Sequence, residues 1–443
     1  MNTKMLNKNI KLSYCFLGIG GISMSALALF LRLKGNKVSG FDRHESEITD
    51  NLKTKGIKIN DLSVIENCDV AVVSSAIQRD DPILKNFIQK SKKIVTRSEL
   101  LKQISQDFKL RIGVAGTHGK TTTTAMIAHI LNSASLSFTA HIGGLDSELG
   151  NMFVKGEEIF LSEVCEYKKN ISLFDSEIAL LLNCANDHIE SYGSINLLKK
   201  EFSSYLERSS KAIVDYDYLD IGPKNSITFS MQNTLANYYA SDIILDSNFI
   251  EYTVNQPIGG YFRVKINSIY PHDIKNSLAS IVVARELGID EEIIKIGLLS
   301  FKGVKRRSET LGKINNSIIF ADYAHHPEQV KNTIEALNKK GQKYALFFQS
   351  HTFSRTKMLI NDFVRELSKA QNLFIFDTYG AREKFDYLGS GKLLSEMIKG
   401  SVYCGAPENA RTLLPSLSEK YPLIAVLGAG DLYDYCDELI NKK

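Results

Sequence analysis

The chain lacks the residues and runs that mark several classes of protein. Its 443 residues include no Trp, only 8 Pro and six cysteines, and no two cysteines form a Cys-x-x-Cys pair. Scattered cysteines are typical of reduced intracellular thiols, so we expect neither a disulfide framework nor a structural zinc site. No uninterrupted apolar run reaches the ~18 residues that a membrane span requires. These absences favour a soluble, cytoplasmic protein without membrane insertion.

The N-terminus resembles an export signal without being one. Lysines precede an apolar stretch over 14–33, and Ala26-Leu-Ala28 imitates a cleavage site. Cleavage there would remove a glycine loop at 18–23 that the following segment needs, so we expect no export. The net charge of +4 is spread along the chain. This charge suits acidic small molecules and gives no reason to expect nucleic-acid binding. We expect a monomer or a weak homodimer.

The alternation of strand-like and helix-like segments predicts an α/β protein of three domains. We expect a Rossmann-like sheet in 1–108, a P-loop ATPase-like mixed sheet in 109–312, and a second Rossmann-like sheet in 313–443. The predicted strands are 12–17, 37–41, 70–73, 94–95, 112–115, 159–161, 178–182, 212–214, 226–229, 317–321, 344–348, 373–376 and 423–427. The stretch from about 236 to 270 is predicted to be a β-meander that includes 252–254 and 261–266. The predicted helices are 24–34, 82–91, 122–131 and 275–287.

The segment Gly116-Thr-His-Gly-Lys-Thr121 is the most informative motif in the chain. It follows an apolar strand and precedes a helix, which is the layout of a nucleoside-triphosphate site, where backbone N–H groups meet phosphate oxygens. Lys120 would contact the β- and γ-phosphates, and the Thr121 hydroxyl would hold Mg²⁺. Val114 stands where the general pattern has another glycine, so the loop is a shorter variant. The predicted ATP-binding residues here are Gly116, Thr117, His118, Gly119, Lys120, Thr121 and Thr122.

A second glycine loop, Gly18-Ile-Gly-Gly-Ile-Ser23, follows the first strand, and Asp42 ends the second strand. This spacing is typical of a dinucleotide site. Ser23 replaces the third glycine of that pattern, and a nucleotide-diphosphate sugar makes the same demands on a loop and a strand end. From these residues alone, a nicotinamide-dependent oxidoreductase and a UDP-sugar site both stay open.

Charged and polar residues follow several other predicted strands. Glu166 and His188 come after two strands of the central domain, where they would hold a second Mg²⁺ beside the phosphate loop. Arg307 lies in a basic loop and suits the charge of a transferred phosphoryl group. Asp322-Tyr-Ala-His-His-Pro and Gln349-Ser-His-Thr-Phe-Ser-Arg355 each end a strand of the third domain and indicate recognition of an anionic substrate.

Taken in order, these motifs resemble the peptidoglycan-building ATP-dependent amino-acid ligases, the Mur ligase family. The resemblance runs from about residue 12 to Asp431. Within the family, Gly-Ile-Gly-Gly-Ile-Ser-Met-Ser and Ser-His-Thr-Phe-Ser-Arg are similar to the enzyme that joins L-alanine to UDP-N-acetylmuramate. The resemblance implies an acyl-phosphate route using ATP and Mg²⁺, with a UDP-sugar domain, an ATP domain and an amino-acid domain.

The resemblance also implies roles for particular residues. Lys120, Glu166, His188, His325 and Arg355 would be catalytic, and Thr121, Glu166 and His188 would hold metal. His272, Asn276, Arg307 and Asp322 would join the phosphate loop in binding ATP. The implied UDP-sugar residues are Gly18, Gly20, Gly21, Ser23, Asp42, Ser74, Ser75 and Arg97.

The chain departs from the family pattern at four positions. Asp273 replaces an asparagine in the adenine segment, and Cys165, Ala185 and Ser308 replace an aspartate, a glutamate and a phenylalanine that are common there. The phosphate and metal positions are intact. Three alternatives remain: a ligase that recycles a whole tripeptide onto UDP-N-acetylmuramate, the oxidoreductase named above, and a nucleotide-binding module without catalysis.

Overall fold

The computed structural model describes residues 11–60, 68–74, 77, 81–90, 92–185, 192–246, 248–381 and 383–441. These residues form three sheets, of five, ten and six strands. The first two sheets belong to one compact unit that ends at Lys302. The third sheet belongs to a second unit, which runs from Gly303 to the C-terminus and includes 246–248 and 269–271.

The first sheet is entirely parallel, in the order β3-β2-β1-β4-β5. Its strands are β1 Ser13–Leu17, β2 Lys37–Phe41, β3 Lys58–Ile59, β4 Val70–Val73 and β5 Lys93–Thr96; its helices are α1 Ile22–Leu33, α2 Glu47–Thr54, α3 Pro82–Lys90 and α4 Arg97–Ser105. The chain runs outward from β1 to β3 and then returns to β4 on the other side of β1. A crevice therefore opens between the carboxyl ends of β1 and β4, where open parallel sheets bind ligands.

The second sheet is mixed, in the order β15-β14-β13-β12-β11-β10-β6-β9-β7-β8. Its strands are β6 Leu110–Ala115, β7 Phe138–Asp146, β8 Gly150–Val154, β9 Ile159–Glu163, β10 Ile178–Leu181, β11 Lys211–Asp215, β12 Ile227–Ser230, β13 Tyr238–Leu245, β14 Ile250–Asn255 and β15 Tyr261–Ile266. The helices are α5 Lys120–Ser133, α6 Ile195–Glu207, α7 His272–Glu286 and α8 Glu291–Ser300. The central strand β10 is buried along its whole length, as expected for a parallel strand covered on both faces.

A continuous hydrophobic core joins the first two sheets. Phe30 of α1 packs on Phe108, and Phe108 packs on Phe160 of β9 with ring centroids 4.9 Å apart. Each buried aromatic or aliphatic side chain contributes about 1.5–3 kcal/mol through the hydrophobic effect. The first two sheets therefore form one compact unit because their cores merge.

The third sheet has the order β16-β17-β21-β18-β19-β20, and only β16 is antiparallel. Its strands are β16 Glu309–Ile314, β17 Ser317–Asp322, β18 Tyr344–Gln349, β19 Leu373–Phe376, β20 Val402–Gly405 and β21 Leu423–Gly428. The helices are α9 Pro327–Lys339, α10 Phe353–Met358, α11 Ile360–Leu367, α12 Gly391–Glu396, α13 Ala410–Ser418 and α14 Leu432–Asn441. The carboxyl ends of β17 and β18 carry the two His-containing motifs of the sequence.

The predicted fold class is confirmed: along the chain, a Rossmann-like sheet is followed by a mixed ATPase-like sheet and then by a second Rossmann-like sheet. The three domain limits stay predictions. Five strands of the structure were not predicted: β3, β7, β8, β16 and β20. Within the described part of the chain, every helix is too short or too polar to cross a lipid bilayer.

Candidate active site

The predicted phosphate loop connects β6 to α5. Gly116 has φ +138° and Gly119 has φ +82°, and Gly119 is the residue from which α5 begins. A Cβ at Gly119 would lie 2.4 Å from Oδ1 of Asn276, so the loop has neither the backbone freedom nor the space for another residue there. The start of α5 has no side-chain cap, which leaves its first N–H groups to an anion.

Asn183, just after β10, fixes the shape of this loop. Its side-chain amide donates to the His118 carbonyl (2.9 Å) and accepts from the His118 N–H (2.8 Å). The Ala185 N–H donates to the Thr117 hydroxyl (2.9 Å). Asn183 was not among the predicted site residues, although in the sequence it follows the same predicted strand as His188. His188 itself lies outside the described residues, and its metal role stays a prediction.

Lys120 forms a buried ion pair with Glu166. Its Nζ lies 3.0 Å from the Glu166 carboxylate and donates to the Gly116 carbonyl (2.5 Å). Burial by itself would lower the pKa of Lys120, but the nearby Glu166, Cys165 and Glu163 together outweigh burial and the pKa is raised. The amine is therefore positively charged and points into the loop that would hold the phosphates.

The residues beside Thr121 suit a hard divalent cation. The Thr121 hydroxyl donates to the Glu163 carboxylate (2.7 Å), and this carboxylate fills the space that a side chain at Gly143 would need. Hydroxyl and carboxylate oxygens are the ligands that Mg²⁺ prefers. Glu163 was missed as a site residue, while the predicted ligand Glu166 is paired with Lys120.

The predicted adenine segment begins helix α7. Asp273 accepts hydrogen bonds from the Ser268 hydroxyl (2.5 Å) and from the Asn276 amide (3.0 Å). One N–H of the Asn276 amide thus bonds to Asp273, and the carbonyl oxygen of this amide faces Gly119. The carboxylate that departs from the family pattern thus orients a neighbouring asparagine. His272 is half-exposed at the same helix end.

The second glycine loop follows β1 and lies at the crevice of the first sheet. Gly18 has φ +83°, and a Cβ there would lie 3.1 Å from Ser74 at the end of β4. The Gly20 N–H donates to the Asp42 carboxylate (2.8 Å). Asp42 therefore fastens the loop to β2 in this structure. Gly21 is the exposed residue before α1, and Ser75 lies outside the described residues.

Ser23 and Arg97 meet at the start of two helices of the first sheet. Arg97, the first residue of α4, donates to the Ser23 hydroxyl in the first turn of α1 (3.3 Å) and to the Ser98 hydroxyl (2.9 Å). These two predicted UDP-sugar residues are thus brought together, and with the loop they place a cation beside a helix N-terminus, an arrangement that suits a diphosphate.

In the second unit, the basic loop meets the end of β17. The Ser308 N–H and hydroxyl both donate to Oδ2 of Asp322 (2.8 and 3.0 Å). The Arg307 guanidinium lies over the Tyr323 ring, 4.7 Å from its centroid. Arg306 and Ser308 have φ of +64° and +49°, so this loop is strained on both sides of Arg307.

A ladder of rings joins the ends of β17 and β18 in the same unit. Tyr323 packs edge-on against His325 (5.1 Å), His325 against His351 (5.9 Å), and His351 stacks on Tyr379 (5.6 Å). Burial and then the positive charge of Arg355 lower the pKa of His351 to about 4, so the ring is neutral. Arg307 and His325 thus contact aromatic rings, and Arg355 acts electrostatically on His351. Tyr323, His351 and Tyr379 were not among the predicted site residues.

One compact unit contains a phosphate loop with a lysine and hard oxygen ligands, and also a second loop of the kind that binds a diphosphate. This combination is typical of an ATP-dependent ligase that uses a sugar nucleotide. Family comparisons agree with this class. Three family models match the chain. The model for the Mur ligase family catalytic domain matches residues 13–109, the model for the Mur ligase middle domain matches 114–284, and the model for the Mur ligase glutamate ligase domain matches 306–430. The chain belongs to the Mur ligase family, which confirms the resemblance seen in the sequence.

Individual relatives extend over the whole chain. The UDP-N-acetylmuramate–L-alanine ligase of Caldicellulosiruptor saccharolyticus is 35% identical over 448 residues, covering 97% of this chain and 98% of its own. Among solved structures, the UDP-N-acetylmuramate-alanine ligase of Thermotoga maritima has a TM-score of 0.83 at 24% identity, covering 98% of this chain and all of its own. A murein peptide ligase from Psychrobacter arcticus has a TM-score of 0.75 at 20% identity, with 97% and 99% covered. These two likenesses establish the fold.

Proposed function

We propose that the chain joins L-alanine to the carboxylate of UDP-N-acetylmuramate, releasing ADP and phosphate, as a step in peptidoglycan precursor synthesis. The observation that carries the proposal is the charged Lys120 in a glycine loop at an uncapped helix start. The full-length relative at 35% identity supports the choice of L-alanine as the acceptor.

The reaction must convert a poor electrophile into a reactive one. A carboxylate oxygen bonds to the γ-phosphorus of ATP while the bond to the β-phosphate oxygen breaks, and ADP leaves. The alanine amine then attacks the acyl carbon and loses a proton, and the bond to phosphate breaks. Lys120 lowers the repulsion between the carboxylate and the γ-phosphate, both of which are negative.

The metal assignment follows the oxygens around the loop. Thr121 with Glu163 would hold one Mg²⁺, and Glu166 with His188 would hold a second. Bound Mg²⁺ would neutralise charge on the γ-phosphate. Glu166 also keeps Lys120 charged, so we assign it both to the metal and to the lysine.

The remaining predicted residues divide between the substrates. We assign Arg307 and Asp322 to the phosphates and ribose of ATP, with His272 and Asn276 on its adenine side. His325 and Arg355 are assigned to the amino acid and the acyl phosphate, since Arg355 and the neutral His351 lie together. The Gly18 loop, with Ser23, Ser74 and Arg97, is assigned to UDP-N-acetylmuramate.

The preferred acceptor distinguishes this function from that of a tripeptide-recycling ligase, because the fold of a murein peptide ligase is also similar to that of this chain. ADP release should be measured with UDP-N-acetylmuramate and either L-alanine or the tripeptide L-Ala-γ-D-Glu-diamino acid. We expect kcat/KM to favour L-alanine by at least about 100-fold, since only one acceptor can match the site. A clear preference for the tripeptide would overturn the assignment, and turnover of a nicotinamide cofactor without ATP use would favour the oxidoreductase.

The setting of the reaction follows from its substrates. ATP and a sugar nucleotide are cytoplasmic metabolites, so we place the enzyme in the cytoplasm. We expect a monomer or a weak homodimer, which light scattering across a range of protein concentrations would establish.

A further inference from the structure

His141, which none of the assignments above uses, lies beside the sugar-nucleotide loop. It is in the middle of β7, in the central sheet, and is 1% exposed. Its Nε2 is 2.8 Å from the Ser23 hydroxyl in the first turn of α1, and its Nδ1 is 3.0 Å from the Ser162 hydroxyl of β9. One buried ring thus connects the sugar-nucleotide loop of the first sheet to the strand that ends in Glu163.

The hydrogen bonds fix which nitrogen carries the proton. The Ser162 hydroxyl donates its only proton to the Glu163 carbonyl (2.9 Å), so it can only accept from Nδ1–H of His141. Burial and the nearby Arg97 lower the pKa of His141 to about 3, so the ring is neutral and Nε2 has no proton. Nε2 must therefore accept from the Ser23 hydroxyl.

The direction of that bond determines what Ser23 can do. Because the Ser23 proton points toward His141, its lone pairs face Arg97, whose Nη1 donates to the hydroxyl (3.3 Å). The ordered chain runs from the Arg97 guanidinium through Ser23, His141 and Ser162 to the Glu163 carbonyl. It holds a cation and a hydroxyl in one orientation at the helix start where a diphosphate would bind.

A second set of contacts joins the β7–β8 hairpin to the start of α1. Asn151 of β8 is 4% exposed and donates to both the Ile22 carbonyl and the Ser25 hydroxyl (2.8 Å each). Ile22 and Ser25 flank Ser23 in the first turn of α1. The β7–β8 hairpin of the central sheet therefore forms hydrogen bonds to the first turn of α1 at Ser23 and at residues on both sides of it.

We propose that His141 is a positioning residue for the sugar-nucleotide site, fixing the Ser23 hydroxyl and the Arg97 guanidinium through Nε2. This inference rests on the proposed function, since it takes the Gly18 loop as the UDP-N-acetylmuramate site. The role is separate from ATP binding, because the two ring nitrogens of His141 bond to the Ser23 and Ser162 hydroxyls.

Two substitutions of His141 distinguish the roles of its two ring nitrogens. His141→Asn places an amide near Nδ1 but is too short to reach Ser23, whereas His141→Gln places an amide oxygen near Nε2. We expect His141→Asn to raise KM for UDP-N-acetylmuramate about tenfold with KM for ATP unchanged, and His141→Gln to restore most of the affinity. A purely structural role would change the melting temperature of both variants and leave the substrate KM values alone.

A double-mutant cycle with Ser23→Ala completes the test. If His141 acts through Ser23, then adding His141→Asn to Ser23→Ala costs no further affinity. Additive losses, or an unchanged sugar-nucleotide KM in His141→Asn, would overturn the proposal. Calorimetry with UDP-N-acetylmuramate distinguishes failure of the proposed function from failure of the role of His141. No binding to the wild-type protein would refute the proposed function. Binding that is equally tight in wild type and His141→Asn would refute only the role of His141.

Discussion

Lys120 and Glu166 depend on each other for their charges. The pair is buried, with exposed side-chain fractions of 14% and 1%, and the two groups are 3.0 Å apart. Removing either partner leaves the other charge without compensation inside the protein, which typically costs about 3–5 kcal/mol. The lysine that we assign to phosphoryl transfer is therefore also part of the folded structure around the loop.

We expect Lys120→Ala to reduce ligase kcat by at least about 100-fold, because it removes a charge that acts as phosphoryl transfer proceeds. The assay is ADP release at saturating substrates. The double variant Lys120→Ala/Glu166→Gln is the control for stability, since it removes both charges together. Activity within tenfold of wild type in the single variant would contradict the role of Lys120.

Gly119 allows a test of the loop shape with a matched control. Gly119→Ala should raise KM for ATP at least tenfold, because a side chain there meets Asn276 at 2.4 Å. It should also cost about 1–2 kcal/mol of stability for the left-handed backbone. Gly150 has a similar φ of +68° and nothing within 4 Å of its would-be Cβ. Gly150→Ala should therefore lose stability alone; equal ATP KM values for the two variants would count against the steric argument.

At this scale the sequence predicts residue types better than partners. The sequence predicted a carboxylate beside the phosphate loop, but the carboxylate that bonds to Thr121 is that of Glu163. Asp42 was predicted to bind the sugar nucleotide, and in the structure it accepts a hydrogen bond from the Gly20 N–H. Asn183 and His141 were missed as site residues. Their contacts cross between segments far apart in the chain, and no local spacing encodes which atoms will meet.

Among the elements, the β7–β8 hairpin shows why some strands escape prediction. Strand β7 contains Thr139, His141, Gly143 and Gly144, so it lacks the apolar run that identifies a buried strand. His141 is nevertheless buried, because it contacts α1 and the neighbouring strand β9. Strand β20 was also missed: it has only four residues, and Val402 and Tyr403 are exposed at the edge of the sheet. The strands β6 and β10, which are apolar and central, were predicted within one or two residues.

A buried histidine–carboxylate pair fastens the hairpin to α5. His129 of α5 lies 3.2 Å from Asp146 at the end of β7 and 2.8 Å from the Ser300 hydroxyl of α8. Burial by itself would raise the pKa of the Asp146 carboxyl. Hydrogen bonds from His129 and from the Glu148 and Leu149 N–H groups outweigh it, so the pKa is lowered below 3.8. A lowered carboxyl pKa stabilises the fold at pH above 3.8 and loses that effect as pH falls through the folded-state pKa.

We therefore expect Asp146→Asn to lower the free energy of unfolding by about 3 kcal/mol at pH 7. The difference from wild type should shrink as the pH falls below about 4, because the wild-type carboxylate then becomes protonated. Urea denaturation at several pH values measures both effects. A difference that stayed constant down to pH 2.5 would show that the charge of Asp146 is not the stabilising feature.

The exposed pair of Lys109 and Glu158 provides the control. Its 2.8 Å separation is similar, but both side chains are largely in solvent. Solvent and salt screen such a pair, so Glu158→Gln should leave the urea midpoint unchanged within error. A large loss in this variant would show that burial is not what distinguishes the two pairs.

For the whole molecule, the order of the motifs predicted three α/β sheets, and the chain belongs to the family that they resemble. The sequence did not predict that the first two sheets share one core. That core depends on contacts such as those among Phe30, Phe108 and Phe160, which come from three separate segments. Hydrophobic patterning shows that each of these residues is buried, but it does not show which of them pack together.

The central claim is that ATP bound at residues 116–121 activates a carboxylate toward an amine, and oxygen labelling tests it most directly. UDP-N-acetylmuramate with both carboxylate oxygens labelled as ¹⁸O should be incubated with protein, ATP and L-alanine, and the released phosphate analysed by mass spectrometry. The account predicts one ¹⁸O in each phosphate released and one ADP for each amide bond formed. Unlabelled phosphate, or amide formation without ADP release, would contradict it.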